Sequence, residues 1–237
     1  MNGLIALLGS GEYLPVMDDV DKYLLSNSNA NGSNPRVACL ATAAGREGNE
    51  SVTRWSKMGV DHFVRLNADV QAVPVIDKVS ANDPRWETVL ENADLIYFSG
   101  GDPGYLFQTL DGSCAWSAAQ KAWARGAVYA GCSAGAMIMG ERIPDMRTIG
   151  MATMPAFGIV PATFIVPHFD AIPAIWKSVV FTLRNRLKTG EVMLGIDEDT
   201  ALVGKLGGVW TVMGKSRVHV FSKGKSKSYS IGEEVKF

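Results

Sequence analysis

The stretch VYAGCSAGAMIMG, residues 128–140, sets Ser133 between Gly131 and Gly135 where an apolar run gives way to helix-like spacing. A serine on such a strand-to-helix turn can serve as a nucleophile. Small neighbours let the chain turn sharply, so the hydroxyl stands clear of the backbone, and the first N–H groups of the new helix can hold an oxyanion. Ala134 and Ala136 keep this turn uncrowded. Glycine and alanine are also common where a helix packs closely on a sheet, so the motif alone fits a plain packing turn equally well.

A serine hydroxyl needs a base to take its proton, and the chain offers three histidines. His62, in MGVDHFVRL, falls at the start of an expected strand, and His219, in RVHVF, alternates with valines. His168 ends the apolar run TFIVP just before a loop, and strand ends of parallel sheets are where sites form. It is the candidate base. For the carboxylate that orients the imidazole, spacing leaves Asp145, on a loop past the elbow, and Asp170, two residues after His168, both open; Glu141 reads as a solvated surface acid. Gly100 and Gly101, in YFSGGDPGYL, can expose backbone N–H groups above the sheet as a second oxyanion donor. LLGSGEY has no third glycine, too little for a dinucleotide site.

These residues need a sheet to hold them. GLIALLGS, RVACLATA, DHFVRLN, DLIYFSGGD and GAVYAGCS read as five strands, the third at residues 61–67. Between them lie helical segments at Val16–Val20–Leu24, around Val52 to Met58, and at Trp116–Ala119–Trp123, stopped by Gly126. Continuous apolar strands separated by helices predict an α/β fold: a parallel sheet covered by helices on both faces. A further helix carries Trp176, Val180, Leu183 and Leu187, with Gly190 at its end. After it VMLGID, TALVGK, GVWTVMG and RVHVFSKG predict C-terminal β-hairpins, so residues 1–237 read as a single α/β domain with a β-rich part from about 191 to 237.

Composition narrows the function classes. With 47% hydrophobic residues the chain can build a large core without staples, and 23 basic against 24 acidic residues give no footprint for nucleic acid or an anionic membrane. Cys39, Cys114 and Cys132 are odd in number and unpaired in spacing, which argues against a disulfide framework or zinc site. The apolar runs are too short for a membrane span, and the N-terminus lacks a basic region. The expectation is a cytoplasmic protein.

Several separated stretches then carry a resemblance. LATAAGREGNE, IYFSGGD, GCSAGAMI, VPHF and GIDEDTALV, in this order, resemble the serine peptidases of the dipeptidase E and cyanophycinase family, whose fold is similar to the class I glutamine amidotransferase domain, a flavodoxin-like arrangement. The resemblance implies Ser133 as nucleophile, His168 as base, and Gly101 and Ala134 as the oxyanion-hole amides. The family's third member precedes the histidine by a little over twenty residues, and Asp145 lies 23 before His168, so the resemblance favours Asp145 over Asp170. It implies no cofactor and no metal, and a small-peptide substrate that is acidic or β-aspartyl; Asp102, Arg46, Arg142 and Arg147 are the candidate substrate-binding residues, and a homodimer is compatible with it.

Two departures bear on substrate. Pro103 stands where cyanophycinases carry glutamine, and the segment after the histidine runs DAIPAIWKSVV, with Arg184 and Arg186 only later. Two rival readings keep the scaffold. One places an amidotransferase-like nucleophile at Cys132 beside His168-Phe169-Asp170, although Cys132 is one residue out of register with the flanking glycines. The other is a binding module that has lost turnover.

Overall fold

The structure, a computed structural model, describes all residues except Met1, Asn31, Ser33 and 145–152, together with the side chains of Ile175 and Trp176. Five short strands, β1 (Ile5–Leu8), β2 (Arg36–Leu40), β3 (Asp69–Ala72), β4 (Leu95–Phe98) and β5 (Val128–Cys132), pair in parallel in the order β1-β5-β4-β2-β3. Side chains alternate across this sheet, as the two-residue period requires. Ile5 and Leu7 pack with Leu90, Leu106 and Trp116 from helices α3 (Pro84–Asn92), α4 (Pro103–Leu110) and α5 (Cys114–Arg125). Ala6 and Leu8 pack with Val20, Leu24 and Phe63 from α1 (Asp18–Ser26) and α2 (Asn49–Arg65). Apolar residues at every strand position are therefore a consequence of burial on both faces, and the α/β class read from the sequence is the observed one.

The third strand lies elsewhere than the sequence predicts. Residues 61–65 of DHFVRLN end α2, where His62 and Phe63 turn inward at helical spacing with Trp55 and Met58, while Val64 is 54% exposed. The β-propensity of His-Phe-Val yields to that amphipathic face. The true edge strand, DVQA, has no buried residue and so gives no apolar signal. Val16 lies in a 3-10 turn ahead of α1 and is exposed.

The β-rich end divides between two sheets. After a two-stranded pair, β6 (Arg142–Pro144) with β7 (Thr153–Pro155), come β8 (Thr163–Val166), helix α7 (Ala174–Asn185), β9 (Val192–Ile196), β10 (Thr200–Gly204), β11 (Trp210–Gly214), β12 (Arg217–Ser222), β13 (Lys225–Ser230) and β14 (Glu234–Val235). α7 stops at Asn185, short of Gly190. β10, β11 and β14 extend the main sheet beside β1, each antiparallel to the strand before it, while β9 joins β8, β12 and β13 in a separate four-stranded sheet. Ile165, Leu194, Ile196 and Val218 tie that second sheet to the core around Leu7 and Phe98. Register levels the strand ends: Leu8 faces Cys132, Phe98 faces Gly131, and Val166 faces Gly195. Among the described residues no helix is long and apolar enough to cross a membrane.

Phe63 is fully buried, with Tyr97 and His62 rings 5.5 and 4.9 Å away. Phe63→Ala is expected to cost about 3–5 kcal/mol, read as a lower urea midpoint at unchanged slope.

Candidate active site

At the end of β5 the chain reverses within one residue. Ser133 has φ 49° and ψ −107°, and its N–H donates to the Leu8 carbonyl at 3.0 Å. Ala134–Met137 form the short helix α6. The turn closes only because its neighbours lack side chains: a Cβ at Gly131 would lie 2.3 Å from the Gly135 carbonyl oxygen, and one at Gly135 would lie 2.5 Å from that of Phe98. Tyr129, on β5, donates its hydroxyl to the Gly135 carbonyl at 2.7 Å and fixes the turn from inside.

His168 also sits at positive φ, 49°, two residues past β8. Its Nε2 lies 3.1 Å from Ser133 Oγ and its Nδ1 lies 2.8 Å from Glu198 Oε1. An ionised carboxylate only accepts, so Nδ1 carries the proton and Nε2 is left to accept from the serine. Phe169 donates its N–H to Ile196 O and packs its ring where Gly195 leaves room, since a Cβ there would lie 2.5 Å from it. Asp170, one of the two acids left open by spacing, accepts the Glu198 N–H at 2.9 Å and so holds the loop that carries Glu198. Asp145 lies outside the described residues. Among the described residues the partner of the imidazole Nδ1 is Glu198, a residue the sequence reading did not single out. His219, half-buried on β12, bonds Asp197 at 3.1 Å and packs against Phe169, bracing the same loop.

A second carboxylate escaped sequence reasoning. Glu12, 8% exposed after β1, accepts the Gly100 N–H at 2.8 Å and the Cys132 thiol at 2.9 Å, so it clamps the glycine turn to the base of the elbow. Gly101, at φ 139°, presses against the Ala43 backbone, where a Cβ would lie 2.5 Å from the carbonyl. Ala134 opens α6, so its N–H has no intrahelical acceptor; neither it nor the Gly101 N–H has an acceptor among the described residues. Cys132 is fully buried, and burial, with the Glu12 carboxylate second, pushes its thiol well above the ordinary range. It points away from the cleft and offers no thiolate, contrary to the amidotransferase-like alternative.

The remaining candidates that the structure describes are engaged elsewhere. Asp102 caps α4 through the Tyr105 N–H at 2.9 Å and pairs with Arg46 at 3.3 Å, while Arg46 lies over the Tyr105 ring. Arg142 bonds Glu191 and covers the Phe164 ring. Arg147 lies outside the described residues. His62 is buried in α2, bonded to Asp21 at 2.8 Å. Among the described residues no group of three or more His, Cys, Asp or Glu side chains is arranged to hold a metal ion.

With this geometry in place, comparison with known proteins is informative. The model of peptidase family S51 matches residues 5–209. A cyanophycinase from Geminocystis herdmanii is 24% identical over 213 residues, 84% of this chain and 74% of that protein. A second cyanophycinase, from Synechococcus elongatus, is 25% identical over 162 residues, 64% of this chain and 49% of its own length. Among solved structures, a peptidase from an acI-B1 Actinobacterium superposes with a TM-score of 0.90 at 35% identity, covering 100% of this chain and 98% of that one. A putative peptidase E from Listeria monocytogenes superposes with a TM-score of 0.66 at 19% identity, covering 91% of this chain and 100% of that one, which speaks to fold alone.

Two outcomes follow from the elbow. Gly135→Ala, driven into the Phe98 carbonyl, is expected to lower the melting temperature and to abolish labelling of Ser133 by a fluorophosphonate. Iodoacetamide on the folded protein is expected to alkylate exposed Cys114 and to spare Cys132 and Cys39, whose thiol burial pushes up to about 12. Mass spectrometry of the peptides reads the pattern, and loss of hydrolysis with Cys132 modified would return the cysteine to consideration.

Proposed function

The chain belongs to peptidase family S51, which makes it a serine-peptidase-type hydrolase, and from that premise we propose that it cleaves short peptides through an acyl-enzyme on Ser133. The observation that carries the proposal is the hydrogen-bonded line from Ser133 Oγ through His168 to Glu198, 3.1 and 2.8 Å in its two steps. Ser133 Oγ attacks the carbonyl carbon as His168 Nε2 takes its proton. Glu198 holds the imidazole in the required tautomer and stabilises the imidazolium that forms.

Charge developing on the carbonyl oxygen is met by the N–H groups of Gly101 and Ala134, each of which would supply on the order of 3 kcal/mol if it behaves as such donors do elsewhere. Collapse of the tetrahedral intermediate breaks the C–N bond, and His168 returns its proton to the leaving amine. Water then enters by the same base-catalysed route and releases the acid. No step calls on a cofactor.

The resemblance implies an acidic or β-aspartyl substrate. Two of the three arginines named for that role, Arg46 and Arg142, already face Asp102 and Glu191.

Ser133→Ala is expected to abolish peptide hydrolysis with an unchanged circular dichroism spectrum. Glu198→Gln should lower kcat by roughly 10²–10⁴-fold with KM little changed, and Glu198→Asp should recover part of it. Asp145→Asn should stay close to wild type. The reverse pattern, with Asp145→Asn crippled and Glu198→Gln active, would give the orienting role back to Asp145.

A further inference from the structure

The cleft at Ser133 extends into a recess of about 460 Å³, a size suited to a small ligand. Beyond Ser133, His168 and Glu198, its described walls are apolar: Met137 from α6, Ile165 from β8, Ile172 from the loop after His168, and Val179, Val180 and Leu183 from α7. The spacing of those three α7 residues puts them on one helical face, while Phe181, off that face, is 62% exposed. Pro103 and Pro167 also line the recess, and a proline has no backbone N–H to offer an anionic group. Among the described residues the lining contains no lysine or arginine.

Chemistry follows from this lining. A carboxylate entering the recess would lose its water and meet no described lysine or arginine, and a guanidinium would meet only Glu198, whose carboxylate is already bonded to His168, so either is costly. An aliphatic or aromatic side chain would instead remove its own apolar surface and that of α7 from water. Resting on the reading of Ser133 as nucleophile, we infer that the recess receives an aliphatic or aromatic side chain of a residue flanking the scissile bond. The substrates are then short peptides with an apolar residue at that position, rather than an acidic or basic one.

The test uses the full chain and a set of Xaa-Ala and Ala-Xaa dipeptides, with Xaa being Leu, Phe, Asp or Arg, alongside β-aspartyl-arginine. Fluorophosphonate labelling of Ser133 is measured in parallel as a readout that does not depend on the peptide. For one of the two series, Leu and Phe are expected to exceed Asp and Arg in kcat/KM by about tenfold or more. Val179→Lys should narrow or invert that ratio while labelling of Ser133 persists. A preference for Asp, Arg or β-aspartyl-arginine, equal rates across the panel, or no cleavage with Ser133 still labelled would overturn the inference and leave the hydrolase intact. Failure of Ser133 to label at all would instead overturn the hydrolase reading and the subsite with it.

Discussion

The conformation of one residue organises this molecule. Ser133 is held at a positive φ that a side-chain-bearing residue reaches only at a cost of about 1–3 kcal/mol, so the surrounding structure must over-determine it. It does so by several independent means. The Ser133 N–H is taken by Leu8 of the neighbouring parallel strand, Tyr129 holds the Gly135 carbonyl from below, and the glycines at 131 and 135 leave room for backbone to meet backbone. Each requires β1, β4 and β5 to end at the same level, which the parallel register provides. Glu12 extends the restraint to the adjoining glycine turn. What the strain leaves at the end of the sheet is a serine hydroxyl 3.1 Å from His168 Nε2.

The other half of the site comes from a different sheet. β8 and β9 run parallel with Val166 opposite Gly195, so the loops leaving their ends bring His168 and Glu198 side by side although 30 residues separate them. Asp170 and Asp197 fasten those loops to each other and to β12. The Ser133–His168 distance is therefore set by how the second sheet packs on the first, through the shared cluster that includes Ile165, Leu194, Ile196 and Phe98. α7 crosses between β8 and β9 and supplies one wall of the recess, so substrate choice and alignment of the base lie on the same segment of chain.

Much of this was legible in the sequence because it is local. The elbow, the glycine pair and His168 announce themselves by neighbours within a few residues, and doubly buried strands announce themselves by unbroken apolar runs. What stayed hidden is non-local or polar. Glu198 sits in an acidic cluster, DED, that reads as a solvated turn; only β8–β9 pairing brings it to His168. Glu12 looked like the tail of an incomplete glycine motif, and its role depends on β4, 88 residues away. The strand expected at 61–67 failed because His62 and Phe63 serve a helix face, while the real edge strand needs few apolar residues, one of its sides being open to water. The resemblance pointed to Asp145, which lies outside the described residues; among those described, the partner of His168 Nδ1 is Glu198.

The most direct test of the central claim, that the elbow aims Ser133 at a carbonyl carbon and two backbone amides at its oxygen, is a crystal structure of the protein after reaction with a small fluorophosphonate. The account predicts phosphorus bonded to Ser133 Oγ, with a phosphonyl oxygen about 2.7–3.1 Å from the Gly101 and Ala134 nitrogens and His168 still bonded to Glu198. An adduct on another residue, or one on Ser133 whose oxygens turn to solvent away from both amides, would contradict it.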